Sequence, residues 1–356
     1  MAPHELPANL EAGLAARHLS GLDGLRAIAA FLVVFYHAEL PFVPAGAGVL
    51  AFFVLSGFLI TRLMLLEEER SGTVSLRQFY LRRSFRIFPA FYAYYLLFIA
   101  IVSLRHRPLH VAQAISAFFY VNNYYQAIHG DPNTGLSHTW SLSIEEQFYL
   151  LWPLAFLLLK NNRRRFMALA IGVPSLWIYR EILLFGFRVD QSYIYEPLDT
   201  RADHLLAGCF LAIALHEKRL GALWRVACAS QAGILVTITL LIASVALRGV
   251  IRVSDYRDSV EFILQPVLFA VLLTQLIASP RELVARPFNW AWMRYLGKIS
   301  YSVYLYQQLI VHPVTSIVRG SPAIGALAAA GVTIVAASCS YHFIEQPFLR
   351  LRERFG

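Results

Sequence analysis

The chain has 356 residues, of which 58% are hydrophobic and only 15% are charged, and its mean hydropathy is +0.54. A soluble domain carries about a quarter charged residues, so the composition excludes an ordinary water-soluble domain and predicts a membrane protein. The net charge of +9 does not indicate a nucleic-acid partner, because Lys and Arg occur in short runs between apolar stretches. Three separated cysteines indicate neither a disulfide framework nor a metal site: Cys209, Cys228 and Cys339.

Membrane-spanning helices are predicted along most of the chain, since about 20 apolar residues in a helix cross the hydrocarbon core. Residues 1–20 lack the apolar stretch of a cleavable signal peptide and are predicted to be a cytoplasmic tail. The sequence predicts an all-α, polytopic bundle over residues 21–348 and a short basic cytoplasmic tail at 349–356. About ten spans are predicted, at 25–40, 48–66, 87–104, 146–159, 166–184, 201–215, 222–247, 260–278, 295–318 and 322–343.

The orientation of the bundle is predicted from its basic residues. The polar residues Asn122, Asn123 and Gln126 interrupt the apolar stretch 111–128, which is therefore predicted to be an interfacial or half-buried helix on the outer side. With ten spans and a cytoplasmic N-terminus, 21 of the 31 basic residues lie on the inner side. Cytoplasmic loops of membrane proteins are enriched in Lys and Arg, so both termini are predicted to be cytoplasmic. The eight basic residues predicted outside are Arg105, Arg107, Arg180, Arg188, Arg248, Arg252, Arg257 and Arg319.

The first predicted span carries two ionisable side chains, Arg26 and His37. They are eleven residues apart, which is three helical turns, so both project from one face about 16 Å apart. Ionisable groups within a span usually face a cavity and have a function. The alternative is that Arg26 extends to the inner interface and His37 only caps the outer end. The shared face favours a functional pair.

The second predicted span contains Ser56 and Gly57 in the middle of an apolar stretch. Small residues in a span allow close approach of another helix, and the sequence favours such a packing notch for both residues. A nucleophilic serine is the alternative, but the sequence specifies no partner for it.

Three arginines, Arg82, Arg83 and Arg86, precede the third predicted span on the inner side. A basic cluster beside a membrane often orients the protein and contacts lipid headgroups. Guanidinium groups also match phosphate oxygens in a two-pronged geometry. The sequence alone leaves both interpretations open.

A polar run, residues 138–149, leads into the fourth predicted span on the outer side. Ser143 and Glu146 have the spacing of a capping box that begins a helix. This leaves a carboxylate, Glu145 or Glu146, at the predicted level of His37, where it could orient the imidazole of a general base. At the start of the sixth span, Arg201 and Asp203 either serve a site or pair with each other.

Taken together, these pieces resemble the membrane-bound acyltransferase 3 family, which O-acylates surface polysaccharides, lipid-linked sugars and macrolides. Each piece alone is weak, but the ordered set is specific and covers nearly the whole chain. The matching pieces are residues 22–37, 52–60, 82–89, 140–149, 200–208, 296–305 and 343–348.

The resemblance implies an O-acyltransferase that uses a cytoplasmic acyl-CoA, with acetyl-CoA the favoured donor, and an outer sugar hydroxyl as acceptor. No tightly bound cofactor or metal is expected, and the partners are acyl-CoA, a carbohydrate or glycosylated acceptor and membrane lipid. The resemblance implies that Arg26 and His37 are essential, with His37 as the catalytic base or a transient acyl carrier. Glu145 falls on the family's Trp-Ser-Leu-x-x-Glu motif and is expected to orient His37. The donor phosphates are expected on Arg82, Arg83 and Arg86, and the acceptor on Trp140, Ser141, Arg201 and Asp203.

One position departs from the family pattern, because Gln307 stands where members commonly carry a histidine. This departure implies a changed acceptor or a lost role. The esterase-like domain fused to some members is expected to be absent. The alternative functions are a transporter of protons or of a lipid-linked sugar, and a non-catalytic scaffold; no repeated halves typical of transporters are found. The expected location is the bacterial cell membrane.

Overall fold

A computed structural model describes residues 5–16, 18–250, 256–318 and 321–352, and all regular structure in these ranges is helical. Four basic residues used in the charge count lie outside the described residues: Arg17, Arg252, Arg319 and Arg354. So do the outermost residues of both predicted tails. The described part of the first tail forms a helix, α1, in which Gly13 packs directly on the backbone of Ile277.

Seventeen α-helices, interrupted by short tighter or wider turns, are present in the described ranges. They are α1 (Ala8–Ala15), α2 (Leu22–His37), α3 (Ala45–Ser71), α4 (Leu76–Leu104), α5 (Val111–Phe118), α6 (Asn122–His129), α7 (Thr139–Leu158), α8 (Asn162–Glu181), α9 (Gln191–Tyr195), α10 (Leu198–His216), α11 (Gly221–Ala227), α12 (Gln231–Val250), α13 (Phe262–Ala278), α14 (Ala291–Lys298), α15 (Ser300–Ile317), α16 (Pro322–Ser340) and α17 (Gln346–Arg352).

Six helices in the described ranges are long and apolar enough to cross a membrane. They are Ala45–Ser71, Leu76–Leu104, Asn162–Gly186, Gln231–Arg248, Arg257–Ala278 and Pro322–Leu351. The other four predicted spans fall on α2, α7, α10 and α15, which carry much of the polar interior of the bundle. The all-helical prediction is confirmed, and the count of ten spans stays a prediction.

Two predicted segments differ from the observed helices. Residues 111–128 form the two separate helices α5 and α6, of eight residues each, which are too short to cross the hydrocarbon core. The predicted seventh span, 222–247, is broken after α11, and the long helix α12 begins only at Gln231. In both segments the apolar sequence had predicted one continuous helix, and the break makes the observed helices shorter than predicted.

Helices α3 and α10 form an extensive contact, and two glycines make their close approach possible. A Cβ atom at Gly57 would stand 1.9 Å from the Leu205 carbonyl oxygen, and one at Gly208 would stand 2.1 Å from the Val54 carbonyl oxygen. Backbone therefore meets backbone at this crossing. The predicted packing notch is confirmed for Gly57.

Replacing Gly57 with alanine is expected to destabilise the bundle, because the backbone of α10 cannot yield as a flexible side chain would. Overpacking of this kind costs about 1–3 kcal/mol. The matched control is Gly172→Ala, where nothing lies within 4 Å of the new Cβ and the better helix propensity of alanine stabilises slightly. Thermal unfolding in detergent measures both variants. Equal melting temperatures would contradict the close approach.

Candidate active site

A cavity of about 350 Å³ lies between α2, α3, α4, α7 and α15. Most of its wall area is apolar, with Phe52, Leu59 and Leu142 contributing, and its polar groups belong to arginine, serine, glutamate and tyrosine side chains. Pockets of this kind, apolar with a few convergent polar groups, are the usual form of small-molecule sites. The polar lining residues are Arg26, Ser56, Arg82, Arg83, Arg86, Ser141, Glu145, Glu146, Tyr149, Ser300, Tyr301, Tyr304 and Glu345.

The basic end of the cavity is formed by Arg82, Arg83 and Arg86 on α4. Arg82 is already paired, since its Nη2 donates to Glu67 Oε2 at 2.5 Å. The Arg83 guanidinium lies over the Tyr149 ring, 4.6 Å from its centroid. Within the described ranges, Arg83 and Arg86 form no ion pair at contact distance. These two guanidinium groups are therefore available to an anionic ligand.

Deeper in the cavity, α2, α3 and α7 bring together Arg26, Ser56 and Glu145. Ser56 Oγ donates to Glu145 Oε1 at 2.5 Å, and the Tyr149 hydroxyl donates to Ser56 Oγ at 2.9 Å. Arg26 and Arg83 both interact electrostatically with the Glu145 carboxylate. The cavity thus holds a hydroxyl, a carboxylate and two cations within one small volume.

Two further carboxylates, Glu146 and Glu345, line the cavity. The sequence indicated Glu146 only as the alternative to Glu145 and did not indicate Glu345 as a site residue. Glu345 Oε1 accepts from Ser302 Oγ at 2.6 Å, and its carboxylate interacts with Arg86 and Arg26. An ionisable residue near the end of a predicted span was the signal that could have found Glu345. Three glutamates therefore share the cavity with the arginines.

The histidine end lies beyond the cavity, where His37 and His138 approach each other. His37 Nδ1 contacts the Val33 carbonyl oxygen at 2.9 Å, and its imidazole interacts electrostatically with that of His138. The buried His138 ring packs against Tyr94 and Tyr304, with both centroid distances 5.4 Å. Neither ring nitrogen of His138 has a hydrogen-bond partner among the described residues. The sequence had indicated His138 only as part of a polar run.

Tyr304 separates the histidine end from the cavity. Its ring lines the cavity and packs edge-on against Phe52, with centroids 6.3 Å apart. The Tyr304 hydroxyl is hydrogen-bonded to Ser141 Oγ at 2.5 Å, and both oxygens lie within hydrogen-bond distance of the His138 carbonyl oxygen, at 3.2 and 3.1 Å. The cavity therefore ends at this hydroxyl pair rather than at His37.

Two expectations about His37 are thus corrected. The predicted orientation of His37 by Glu145 is not formed, because the Glu145 carboxylate binds Ser56 and the His37 ring binds the backbone of its own helix. Arg26 lines the cavity and His37 does not, so the two residues predicted to form a functional pair do not line one common cavity. The physical reason is packing, because Ala30, Val33 and Val34 are buried on α2 between the two side chains.

The predicted capping box is also wrong. Helix α7 begins at Thr139, one turn earlier, so Ser143 lies inside the helix. Its hydroxyl donates to the Thr139 carbonyl oxygen at 2.9 Å instead of capping Glu146. The extra turn is what places both glutamates, Glu145 and Glu146, at the cavity.

The four residues predicted to bind the acceptor separate into two groups. Ser141 lines the cavity, and Trp140 packs on the Tyr195 ring with centroids 5.0 Å apart. Arg201 and Asp203 are completely buried outside the cavity. Because neither side chain is exposed, neither is placed to contact an acceptor in this structure.

Arg201 and Asp203 do not pair with each other at contact distance. Asp203 accepts from Arg180 Nη1 at 2.9 Å and lies 2.7 Å from His204 Nδ1. Arg201 instead stacks on aromatic rings, 3.9 Å from the Phe262 centroid. Asp203 thus ties α10 to α8 through Arg180, and the alternative in which Arg201 pairs with Asp203 is not formed.

Gln307, which departs from the family pattern, is buried on α15 one turn beyond Tyr304. Its Nε2 donates to Gln308 Oε1 at 3.2 Å, and its Oε1 has no hydrogen-bond partner within the described ranges. The two consequences drawn from the substitution, a changed acceptor or a lost role, stay open predictions.

Comparison with known protein families identifies the family of this chain. Residues 19–342 match the acyltransferase 3 family, described as an acyltransferase domain. The chain belongs to this family. Its members are transferases of acyl groups other than aminoacyl groups, and the resemblance read from the sequence is confirmed.

Several relatives are named as O-acetyltransferases, and two of these names specify peptidoglycan. The peptidoglycan O-acetyltransferase OatA of Listeria monocytogenes is 32% identical over 93% of this chain and 56% of its own length. The putative peptidoglycan O-acetyltransferase YrhL of Bacillus subtilis is 32% identical over 93% and 55%. The O-acetyltransferase OatA of Staphylococcus aureus is 32% identical over 95% and 58%. The chain spans little more than half the length of these relatives, and no solved structure matches it significantly.

Proposed function

We propose that the protein is an integral membrane O-acetyltransferase that moves an acetyl group from acetyl-CoA to a hydroxyl of a cell-envelope sugar. The observation that carries the proposal is the cavity itself, which begins at a cluster of arginines and ends at Tyr304, whose ring packs against the His138 imidazole. Cations suit the phosphates of a CoA donor, and an imidazole suits proton removal from a hydroxyl. The relatives named as peptidoglycan O-acetyltransferases support a sugar polymer as the acceptor.

In this proposal the basic end faces the cytoplasm and the histidine end faces the outside, with about ten spans and both termini cytoplasmic. The phosphates of the donor bind Arg83 and Arg86, and the thioester reaches Arg26 and Glu145. The acceptor hydroxyl enters beside Trp140 and Ser141. His37 removes the proton of that hydroxyl. The Tyr304 side chain has to move aside, because it closes the cavity toward the two histidines.

The direct test uses the purified protein in detergent with acetyl-CoA labelled in the acetyl group and with peptidoglycan fragments. The expected result is labelled, hydroxyl-linked acetyl on the glycan. Detergent micelles have no sealed compartment, so a transporter would give no product in this assay. Glycan that stays unlabelled over a panel of envelope sugars, with correctly folded protein, would overturn the proposal.

The donor site makes a separate prediction about the arginines. Replacing Arg83 or Arg86 with glutamine is expected to raise the KM for acetyl-CoA about 10- to 100-fold, since a hydrogen bond to a charged group contributes about 1.5–3 kcal/mol. Acetyl-pantetheine, which lacks the nucleotide phosphates, is expected to show no such loss. The control is Arg82→Gln, because Arg82 is already held by Glu67. If the variants still preferred acetyl-CoA as strongly as the native protein, the phosphate assignment would be wrong.

A further inference from the structure

Ser56 has a partner that its sequence did not reveal. Its hydroxyl donates to the Glu145 carboxylate at 2.5 Å and accepts from the Tyr149 hydroxyl at 2.9 Å. A hydroxyl hydrogen-bonded to a base that is itself held by other groups is the arrangement of an activated nucleophile. The packing notch favoured for Ser56 is therefore wrong, although it holds for Gly57.

The orientation of Ser56 follows from the contact between α3 and α10. Gly57 faces the α10 backbone so closely that a Cβ atom would lie 1.9 Å from the Leu205 carbonyl oxygen. Successive residues of a helix are rotated by about 100°, so Ser56 is turned away from α10. It faces α7, which supplies both of its hydrogen-bond partners. The close contact of Gly57 with α10 on one side of α3 therefore directs the Ser56 hydroxyl toward α7 on the other side.

The charges around Ser56 suit acyl chemistry. Arg26 and Arg83 line the same cavity and interact with Glu145. A cation close to a reacting carbonyl stabilises the negative charge that develops on its oxygen. The surrounding wall is apolar, with Phe52, Phe53 and Leu55 beside the serine. Such a wall limits water, which would otherwise hydrolyse a serine ester.

We propose that Ser56 accepts the acetyl group from the donor before it passes to the sugar, an inference that rests on the proposed acetyl transfer. Glu145 takes the Ser56 proton while Oγ bonds to the thioester carbonyl carbon. The carbon–sulfur bond breaks, and the CoA thiolate takes the proton from Glu145. The products are a serine acetyl ester and free CoA thiol. Tyr149 donates to Oγ and stabilises its charge during attack.

The second half-reaction returns the enzyme to its starting state. The acceptor hydroxyl gives its proton to His37 and attacks the ester carbonyl. The bond to Ser56 Oγ breaks, and the proton held by His37 passes through intervening hydroxyl groups to the released oxygen. Glu145 stays a carboxylate and again accepts from the Ser56 hydroxyl. In the net reaction, the acetyl group moves to the acceptor oxygen and the proton of the acceptor hydroxyl ends on Ser56 Oγ. A carrier midway along α3 joins the basic end to the histidine end without a continuous channel for the whole donor.

The test mixes purified protein with acetyl-labelled acetyl-CoA in the absence of acceptor, quenches in acid and maps the labelled peptide by mass spectrometry. One acetyl ester is expected on residue 56, and hydroxylamine is expected to remove it. Ser56→Ala is expected to lose the label and to slow transfer to glycan at least 100-fold. Ser175→Ala, an exposed serine on α8, is the matched control and should keep both.

The outcomes separate the two proposals. If native protein acetylates glycan and Ser56→Ala does so equally well, the carrier role is overturned while the transferase proposal stands. Label on His37 instead of residue 56 has the same meaning. If native protein transfers nothing to any glycan, the transferase proposal itself fails. Should Ser56→Ala not fold, Ser56→Cys is expected to yield a thioester at residue 56, and its absence beside a labelled native protein also overturns the role.

Discussion

Replacing His37 with alanine is expected to reduce acetyl transfer to the sugar acceptor about 10²- to 10⁴-fold, the usual contribution of a positioned general base. The reason is its place at the end of α2, beside His138 and behind the Tyr304 ring, where the acceptor hydroxyl has to arrive. The loss should appear in kcat for glycan acetylation, measured with labelled acetyl-CoA in detergent. Donor cleavage in the cavity should be affected far less, since His37 does not line it.

The matched control for this prediction is His312→Ala, because His312 is exposed on α15. Free imidazole added to the His37→Ala protein is expected to restore part of the activity, as it would fill the vacated place and accept the proton. A variant that acetylates glycan at the native rate would remove His37 from the mechanism. Restoration by imidazole of the variant but not of a Tyr304→Ala protein would separate proton transfer from the closure of the cavity.

The sequence predicted the helical class, the family and most of the basic end of the site, because these depend on local patterns. Apolar stretches reveal helices wherever the bilayer is the solvent, and a run such as Arg82, Arg83 and Arg86 stays together whatever the helix packing. Each of these features depends on residues that are close together in the sequence and not on how the helices pack.

Partnerships across helices could not be predicted in the same way. Glu145 was assigned to His37 by its expected depth, yet a helix start one turn earlier and the rotation of α3 give it to Ser56. Glu345 reaches the cavity from the far end of the chain. The depth of a residue in the membrane can be estimated from the sequence. The rotation of its helix about its own axis depends on close contacts with other helices, such as those at Gly57 and Gly208.

The partner of Asp203 on another helix could not be predicted from the sequence either. Loss of the Asp203 carboxylate is expected to destabilise the protein strongly. Its carboxylate is completely buried and accepts from Arg180 Nη1 at 2.9 Å and from Trp177 Nε1 at 2.9 Å. Asp203→Ala leaves the buried Arg180 without its counter-charge, which costs roughly 3–5 kcal/mol in comparable buried pairs. The melting temperature in detergent should fall markedly, and α10, which positions α3 through Gly57, should lose its anchor on α8.

The double variant Asp203→Ala with Arg180→Ala distinguishes a paired charge from simple packing. Removal of both charges is expected to be less damaging than the sum of the two single changes, because no uncompensated charge of the pair then remains buried. Glu11→Ala is the control, since Glu11 pairs with Lys218 at the surface, with side-chain exposures of 43% and 57%, and such pairs contribute about 1 kcal/mol or less. Additive effects of the two buried changes would contradict the pairing. Non-additive effects, together with lost labelling of residue 56 in Asp203→Ala, would connect this buried pair to the geometry of the acetyl site through α10 and α3.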